Sequence, residues 1–409
     1  MNVGIIAEYN PFHNGHLLHL ENAKNLENAK NIIVVMSGNF TQRGEPSVVN
    51  KFSRTKTALE MGANLVLELP VYYATGSAEY FAQNSVNILN KSNIVDYLFF
   101  GSECGDILTL DSISNILADE NFKYKTALKT ALDAGNSYPR AREFAIKTLI
   151  GENHDILKSP NNILGIEYLK ALKKINSNIK PVTMKRHLSD YNSIESAGDF
   201  SSAMAIRHNI FNNNFKEIKN SMPKAAENYL ETEFENRNAP ICLDDFSFLL
   251  HHTLKNKSAD ELAEILDVTE GLEYRILKAA EKYFYISDIV KFVKTKRYTH
   301  TKIQRAILHI ILDIKKCNFN RFNTYGGAQY IRVLGFRKDS EKLLRDLTEN
   351  ASIPVVVNLK HASKILDRRQ YKMLQKEIQT TDTYNTAVSQ KFKKSFKKNY
   401  EFTEPIVIV

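Results

Sequence analysis

The 409-residue sequence contains few cysteines, and none of them lies in a metal-binding or disulfide spacing. Cys104, Cys242 and Cys317 are far apart, and no two cysteines form a CxxC pair. This spacing excludes a disulfide framework and a zinc knuckle. No cluster of carboxylates marks a dedicated metal site either, so the sequence predicts no protein-bound metal centre.

Long apolar runs are also missing. No stretch approaches the roughly 18 uninterrupted apolar residues that indicate a membrane-spanning helix. The opening residues MNVGIIAEYNPFHNGH lack the basic region, the long apolar region and the cleavage site of a signal peptide. We therefore expect a cytoplasmic protein that has no membrane partner. Its oligomeric state stays open.

Charge is distributed unevenly along a chain whose composition is that of an ordinary globular protein. Residues 291–409 contain 25 Lys+Arg and 10 Asp+Glu, a net charge of +15. Because the whole chain carries +9, residues 1–290 carry −6. A basic part joined to a mildly acidic part indicates that one part binds a polyanion and the other carries out chemistry. A merely soluble basic surface is the alternative.

The first hundred residues alternate between short apolar segments and helical patterns. The apolar segments are NVGIIAEY, NIIVVMS, NLVLELP and VDYLFFGSE. This β-α-β-α-β-α-β order predicts an α/β fold, a Rossmann-like domain whose parallel sheet is covered on both faces. IKPVTMKRHL is predicted as its last strand. Ligands of such a sheet bind at the carboxyl ends of the strands.

Beyond about residue 200 the hydrophobic period becomes mainly helical. A few short strands return near 330–334, 354–359 and 405–409. Since 409 residues exceed what one hydrophobic core usually organises, we predict two parts. Residues 1–200 form the α/β domain, and residues 201–409 form a mainly α-helical, basic C-terminal region.

The sharpest local signal is His13-Asn14-Gly15-His16, which follows the first predicted strand and begins the first predicted helix. Two histidines three residues apart point the same way, so both imidazoles can meet phosphate oxygens beside the free N–H groups of the helix N-terminus. Gly15 would let an adenine ring or a phosphate approach the backbone. We predict His13 and His16 as catalytic residues that position and neutralise a polyphosphate. Two surface histidines that merely begin a helix are the alternative.

Other strand ends carry weaker signals. The loop SGNFTQRGEP at 37–46 holds two glycines, several donors and Arg43, and we interpret it as an acceptor clamp. At Gly101 the missing side chain would admit a base or a ribose. Asn161 lies near a helix start and could be only its cap. Arg186 follows the last strand, where a cation could contact phosphate.

The segment KTKRYTHTKIQR at 294–305 mixes cations, aromatic residues and hydroxyls, a combination suited to RNA. Lys and Arg would neutralise phosphates, and Tyr298 or His300 could stack on an unpaired base. KFKKSFKK at 391–398 could be a flexible arm or a solvated surface. The predicted RNA-binding residues are Lys294, Lys296, Arg297, Tyr298, Lys302 and Arg305.

Taken together, the segments GIIAEYNPFHNGH, SGNFTQRGEP, FGSE, SPNNILGIEYL and KRYTHTKIQRAILHIIL resemble the bacterial tRNA(Met) cytidine acetate ligase family. The resemblance covers nearly the whole chain, and the first two segments are specific in combination. It implies an ATP-binding HxGH nucleotidyltransferase domain at 1–200 and a tRNA-binding region at 201–409. The family's ATP contacts map onto Ala7, Glu8, Tyr9, Asn10, Pro11, Phe12, His13, Asn14, Gly15, His16, Leu17, Leu18, His19, Leu20, Gly101, Asn161 and Arg186. Asn162 is the other candidate at the Asn161 position.

The resemblance also implies a reaction. A member of this family joins acetate to ATP, expected with Mg2+ on the triphosphate, to give acetyl-adenylate and pyrophosphate. It then passes the acetyl group to N4 of the wobble cytidine, C34, of elongator tRNA(Met). The products of that step are N4-acetylcytidine and AMP.

Two other functions remain open from the residues alone. The first domain would equally suit a nucleotidyltransferase that adenylylates a small cofactor precursor, although such an enzyme has no need of a basic C-terminal region. A non-catalytic tRNA-binding protein that senses ATP is the third possibility. It would bind tRNA without producing AMP.

Overall fold

The computed structural model describes residues 1–119, 122–150, 155–186 and 201–409, and its strands form one eight-stranded sheet. Across the sheet the order is β5-β4-β1-β2-β3-β6-β7, and β8 pairs with β6. In chain order the strands are β1 Asn2–Ala7, β2 Asn31–Ser37, β3 Leu65–Leu69, β4 Tyr97–Ser102, β5 Lys180–Lys185, β6 Ile331–Phe336, β7 Val355–Val356 and β8 Val407–Ile408.

The first five strands confirm the predicted parallel sheet. β1 pairs in parallel with β2 and β4, and the sheet continues in parallel to β3 on one side and β5 on the other. Residues 32–37 of β2 are all buried, as expected for a strand covered on both faces. The carboxyl ends of these strands meet at one edge, where the polar loops singled out in the sequence begin.

Helices of the first part cover both faces of this sheet. Ile33 and Val35 of β2 pack into one apolar cluster, and Ile32 and Val34 pack into another, because successive side chains of a strand point to opposite faces. The helices are α1 Asn14–Lys24, α2 Lys51–Glu60, α3 Val71–Ala74, α4 Ala78–Lys91, α5 Ile107–Asp119, α6 Phe122–Asp133, α7 Tyr138–Ile150 and α8 Pro160–Lys174.

The second part is mainly helical, as predicted. None of the helices in the described ranges is both long and apolar enough to cross a membrane. The helices are α9 Ala203–Phe211, α10 Lys224–Glu235, α11 Ser247–Lys255, α12 Ala259–Ala263, α13 Leu272–Ala280, α14 Ile286–Val293, α15 His300–Leu312, α16 Lys316–Thr324, α17 Glu341–Asn350, α18 Ala362–Ile365 and α19 Arg368–Phe392.

The three late strands join the first sheet. β6 runs antiparallel to β3, with Leu65 opposite Phe336 and Glu68 opposite Arg332, and β7 and β8 pair with the other edge of β6. The strands predicted near 330, 354 and 405 are therefore present, and they connect the two parts through a shared sheet. The predicted boundary at 200 adjoins residues 187–200, outside the described residues, and the division into domains stays a prediction.

A buried ionic cluster lies where the two parts meet. Lys51 Nζ is 2.5 Å from carboxylate oxygens of both Glu68 and Glu401, and Arg332 pairs with the same two carboxylates. Although burial opposes ionisation, Arg332 and Lys51 lower the pKa of Glu401 to about 2. Burial, followed by the charge of Glu68, raises the pKa of the nearby Glu377 well above its usual range, and Lys51, 3.8 Å away, opposes that rise. Lys51 and Arg332 each pair with both Glu68 and Glu401, so the buried charges compensate one another.

The ionic cluster also supports the loop that follows β2. A Cβ added to Gly38 would lie 2.7 Å from Glu377 Oε1, so the loop approaches the cluster at van der Waals distance. Asn39 donates to the Thr381 hydroxyl at 3.0 Å and accepts from the backbone N–H of Lys51 at 2.8 Å. The loop at 37–46 therefore lies between the sheet and α19.

The lysine run at 391–398 begins at the end of α19 and is partly anchored. Lys391 Nζ lies 2.9 Å from Asp245 Oδ2, and Lys394 Nζ donates to the carbonyl of Asn236 at 2.8 Å. The interpretation as a flexible arm is wrong for these two lysines, because both hold backbone or carboxylate oxygens of the preceding helical segments.

We expect Lys51→Met to lower the free energy of unfolding by about 3–5 kcal/mol, because it removes one of the two cations that face the buried carboxylates and leaves an uncompensated charge. Lys56→Met, an exposed position on the same helix, is the matched control and should stay within about 1 kcal/mol of the parent. Urea unfolding followed by circular dichroism measures both. Equal midpoints for the two variants would show that the cluster does not stabilise the fold.

Candidate nucleotide site

A cavity of about 200 Å3 opens at the carboxyl ends of β1 and β4, the edge at which parallel α/β sheets bind ligands. The loop after β1 and the start of α1 form one wall, and loop 37–46, α8 and α9 contribute the others. The predicted site residues that line it are Ala7, Glu8, Tyr9, Asn10, His13, Gly15, His16, His19, Gly101, Asn161 and Arg186.

His13 and His16 cap the first helix in a reciprocal arrangement. His13 Nδ1 accepts from the backbone N–H of Gly15 at 3.1 Å, and His16 Nδ1 accepts from the backbone N–H of His13 at 3.3 Å. The two rings stack with 3.7 Å between their centroids. Because each Nδ1 is an acceptor, the proton of each neutral ring lies on Nε2. Each imidazole therefore offers one Nε2–H donor.

Burial and neighbouring cations keep these imidazoles neutral. Burial, followed by the charges of Arg186 and Arg207, lowers the pKa of His13 to about 3. Burial and His13 lower the pKa of His16 well below its usual value, and burial with Arg186 lowers the pKa of His19 to about 3. The positive charge of the cavity is therefore carried by guanidinium groups, and the imidazoles act as neutral donors. This combination suits a polyanion that carries many acceptor oxygens.

Two glycines of the site make room for protein side chains. A Cβ at Gly15 would lie 2.9 Å from the ring of His13, and a Cβ at Gly101 would lie 3.0 Å from Cγ of Arg186. Each glycine lets a side chain of the site, the His13 imidazole or the Arg186 arm, lie against the backbone. Both glycines also line the cavity, and their direct approach to a nucleotide stays a prediction.

Asn161 and Asn162 have different environments at the start of α8. Asn161 lines the cavity, and its amide donates to Glu103 Oε1 at 2.8 Å. Asn162 is buried, and its Oδ1 accepts from the backbone N–H of Cys104 at 3.1 Å. Glu103 also accepts from the backbone N–H groups of both residues, so it caps the helix. Of the two, Asn161 is the one placed to contact a ligand in this cavity.

One buried arginine fixes the ends of the first two strands. Arg54 of α2 donates from Nη1 to the carbonyls of Glu8, at 2.6 Å, and Ser37, at 3.1 Å. It also donates to the carbonyls of Gly38 and Val49. A single guanidinium therefore satisfies backbone acceptors of both loops that border the cavity.

Glu8 joins the same two loops through its side chain. Its Oε1 accepts from the backbone N–H of Gln42 at 2.7 Å. Burial raises the pKa of Glu8, and the Gln42 hydrogen bond and the charges of Arg207 and Arg43 oppose that rise. Among the described residues that line the cavity, Glu8 supplies the carboxyl group. No group of three potential metal ligands occurs in the described ranges.

Sequence reasoning missed Arg207, which lines the cavity from α9. Its Nη1 donates to the carbonyl of Asn10 at 2.8 Å, and its Nη2 lies 3.6 Å from Glu45. Ser202 caps α9 by accepting from the backbone N–H of Ala205, a local signal that indicates the helix. Nothing local ties the arginine to the first loop, because the contact joins residues 197 apart.

The apolar part of the cavity wall was also missed. Its side chains belong to α4, β4, α8 and α9, segments whose pattern is that of ordinary core. They are Phe81, Phe100, Leu164, Tyr168, Ala203 and Met204.

Several predicted positions in the stretch from Ala7 to Leu20 do not line the cavity. Leu20 is fully buried in the core beneath the sheet, and Phe12 packs against Tyr9 and His16. Pro11 is buried as well. Asn14, Leu17 and Leu18 instead line an open groove between α1 and residues 219–227.

The predicted RNA-binding segment divides into exposed and buried residues. Lys294, Lys296 and Arg297 are exposed. Tyr298 is only 5% exposed, and its hydroxyl donates to the carbonyl of Glu270 at 2.6 Å. The interpretation of Tyr298 as a base-stacking residue is therefore corrected, since its ring is packed inside the helical part.

Lys302 and Arg305 are partly buried on α15. Lys302 Nζ donates to the Thr269 hydroxyl at 3.1 Å, and Arg305 pairs with Asp267 at 3.0 Å. The backbone of Arg305 also approaches loop 37–46, since a Cβ at Gly44 would lie 2.5 Å from its amide nitrogen. This helix therefore brings the basic region next to the wall of the cavity.

Comparisons with known proteins agree with this geometry. The chain is 42% identical over 407 residues to a "tRNA(Met) cytidine acetate ligase" of Thermoanaerobacter sp. (strain X514), with 99% of each chain covered. A protein of the same name from Acetivibrio thermocellus is 42% identical over 414 residues, covering 100% of this chain and 99% of that one.

A solved structure and a family model extend the match. The crystal structure of Thermotoga maritima TmcAL bound with alpha-thio ATP superimposes with a TM-score of 0.92 at 33% identity, covering 100% of this chain and 99% of that one. Its apo form gives a TM-score of 0.93. The family model described as HIGH Nucleotidyl Transferase matches residues 1–399. This chain belongs to the HIGH nucleotidyl transferase family.

Proposed function

We propose that this protein is an ATP-dependent tRNA(Met) cytidine acetate ligase. The observation that carries the proposal is the pair of stacked, neutral imidazoles at the start of α1, beside Arg186 and Arg207, in a cavity at the strand ends. Relatives 42% identical over almost the whole chain bear that name, and a solved neighbour holds an ATP analogue.

In the first step an acetate oxygen attacks the α-phosphorus of ATP, and the bond to the bridging oxygen of pyrophosphate breaks. Negative charge grows on the α-phosphate and on the departing pyrophosphate. His13 and His16 donate from Nε2 to these oxygens, and Arg186 and Arg207 supply the positive charge. The residues need only orient and neutralise, so no proton has to leave an imidazole.

In the second step N4 of the wobble cytidine attacks the carbonyl carbon of acetyl-adenylate. The acyl–phosphate bond breaks, AMP leaves with the electron pair, and N4 loses a proton to give N4-acetylcytidine. Phe81, Phe100 and Tyr168 line the cavity and limit the water that would hydrolyse the mixed anhydride. One cavity serves both steps because the adenylate never leaves it.

Elongator tRNA(Met) and acetate are the substrates in this proposal, and the cytoplasm is the expected compartment. Mg2+ is expected on the triphosphate as part of the nucleotide substrate. Lys294, Lys296 and Arg297 form an exposed basic cluster for tRNA phosphates, adjoining the helix that contacts loop 37–46.

The proposal is tested by incubating the protein with labelled acetate, ATP and bulk tRNA. We expect label in N4-acetylcytidine after nuclease digestion, together with equimolar AMP. Release of pyrophosphate without labelled RNA would favour a nucleotidyltransferase that acts on a small precursor. Binding of tRNA without AMP would favour a non-catalytic protein.

We expect His16→Ala and His16→Asn both to lower acetyl-adenylate formation by about 10²–10³-fold or more, because each removes a preorganised donor to the phosphates. His16→Asn keeps an acceptor for the backbone N–H of His13, so α1 should remain capped and the melting temperature nearly unchanged. Pyrophosphate release measures the reaction, and filter retention of tRNA should persist. Full activity of His16→Asn would contradict the proposal that His16 Nε2 donates to the phosphate oxygens.

Replacing Lys296 and Arg297 by Gln should weaken tRNA binding at low salt, because two exposed phosphate-binding cations are removed. The slope of log K against log[salt] should fall by about 0.7–0.9 for each phosphate that is no longer neutralised. Fluorescence anisotropy between 50 and about 200 mM salt measures both quantities. The exposed Lys56 on α2, replaced by Gln, serves as control. An unchanged affinity would place the phosphate-binding surface elsewhere.

A further inference from the structure

A group of large aromatic side chains is exposed on the outer side of the helical part. Its members are grouped in the turn between α13 and α14, at the end of α14 and on α11. We call this group the aromatic surface; it consists of Phe248 (58% exposed), Tyr283 (38%), Phe284 (53%), Tyr285 (55%) and Phe292 (39%).

These aromatic residues are not needed to form the core. α14 packs inward through Ile286, Ile289, Val290 and Val293, each fully buried. An apolar group left on the surface next to a completed core indicates an interaction site rather than a packing requirement.

Four of the five rings contact another ring of the surface, in two pairs. Phe284 and Tyr285 lie edge to face at 5.4 Å, and Tyr283 lies 5.4 Å from Phe292. The imidazole of His251 on α11 stacks parallel to Phe284 at 5.2 Å and 5°. A hydrogen bond of 3.1 Å between His251 Nε2 and the carbonyl of Phe284 holds that pair together. Rigid faces are therefore presented to solvent, which lowers the entropic cost of binding a flat ligand.

The segment that carries most of these rings is rich in cations, and one of them contacts a ring. Residues 274–294 contain five Lys+Arg and two Asp+Glu. Lys282 Nζ lies 5.4 Å above the ring of Phe292, while Lys291 pairs with Asp288 at 3.0 Å. Lys294 ends this segment and begins the exposed basic cluster that continues through Lys296 and Arg297. The aromatic surface is therefore continuous in sequence with the cations proposed to bind tRNA phosphates.

We propose that the aromatic surface binds unpaired nucleotides of the tRNA by stacking, an inference that rests on the proposed function. Exposed rings with neighbouring lysines suit single-stranded RNA, because bases stack on the rings while lysines neutralise phosphates. An apolar protein partner would gain nothing from the excess of positive charge at this edge. The surface takes the role that Tyr298, being buried, cannot fill.

The test uses the whole chain with Phe284→Ala and Tyr285→Ala combined, and an elongator tRNA(Met) transcript as probe. Removal of each stacking ring should weaken binding roughly tenfold, so the double variant should bind roughly a hundredfold more weakly. The salt slope should stay unchanged because no charge is removed. Tyr325→Ala is the matched control: Tyr325 is 50% exposed and also lies beside a cation, Arg369, and its variant should bind like the parent.

Ultraviolet crosslinking gives a second readout, in which tRNA should crosslink to the peptide that contains residues 283–285. An affinity unchanged in a folded double variant, together with no crosslink there, would overturn the inference. Sedimentation that shows a parental dimer dissociating in the double variant would assign the surface to a second copy of the chain instead.

Acetate-dependent pyrophosphate release by the double variant without tRNA should equal that of the parent. If the parent itself neither binds nor acetylates tRNA, the proposed function fails rather than this surface alone.

Discussion

Two buried cations one helical turn apart on α2 hold the structure together. Lys51 faces the carboxylates of β3 and of the segment after α19, and Arg54 faces the backbone carbonyls at the ends of β1 and β2. Cations near a helix N-terminus are unfavourable by themselves, because the helix dipole is positive there. The contacts with their partners more than offset this unfavourable interaction with the dipole. Through these contacts α2 connects the sheet, the loops that border the cavity and the helical part.

The chemistry of the cavity follows from that rigid frame. Because the loop after β1 is held by Arg54 and Glu8, the histidine pair can cap α1 with both Nδ1 atoms and leave both Nε2–H groups for a ligand. Burial removes the charge that an imidazole would otherwise carry at mildly acid pH. In the proposed reaction the arginines supply positive charge, and the histidines supply oriented hydrogen-bond donors. Such preorganisation is what an adenylyl transfer needs from a protein.

Local sequence patterns predicted much of the fold and of the site. They failed for contacts between segments that are distant in sequence. The strands, the capped helix at His13 and the glycine-bearing loop were predictable, because period-2 and period-3.6 patterns and turn residues act over a few positions. The pairing of β6 with β3, the approach of Arg207 to Asn10 and the burial of Tyr298 were not. Each depends on how two segments meet after folding, and no local pattern encodes that. The sequence indicated Gly15 and Gly101 as site positions, but not the close contacts they make with His13 and Arg186.

The pairing of Lys51 with Glu401 also determines when the structure can be completed during synthesis. Translation delivers the lysine first and its carboxylate partner 350 residues later. While the chain is still on the ribosome, the loop after β2 has neither α19 nor the late strands against which it finally packs. The residues that line the cavity are all made by residue 207, but loop 37–46 gains its final packing partners only near the end of synthesis.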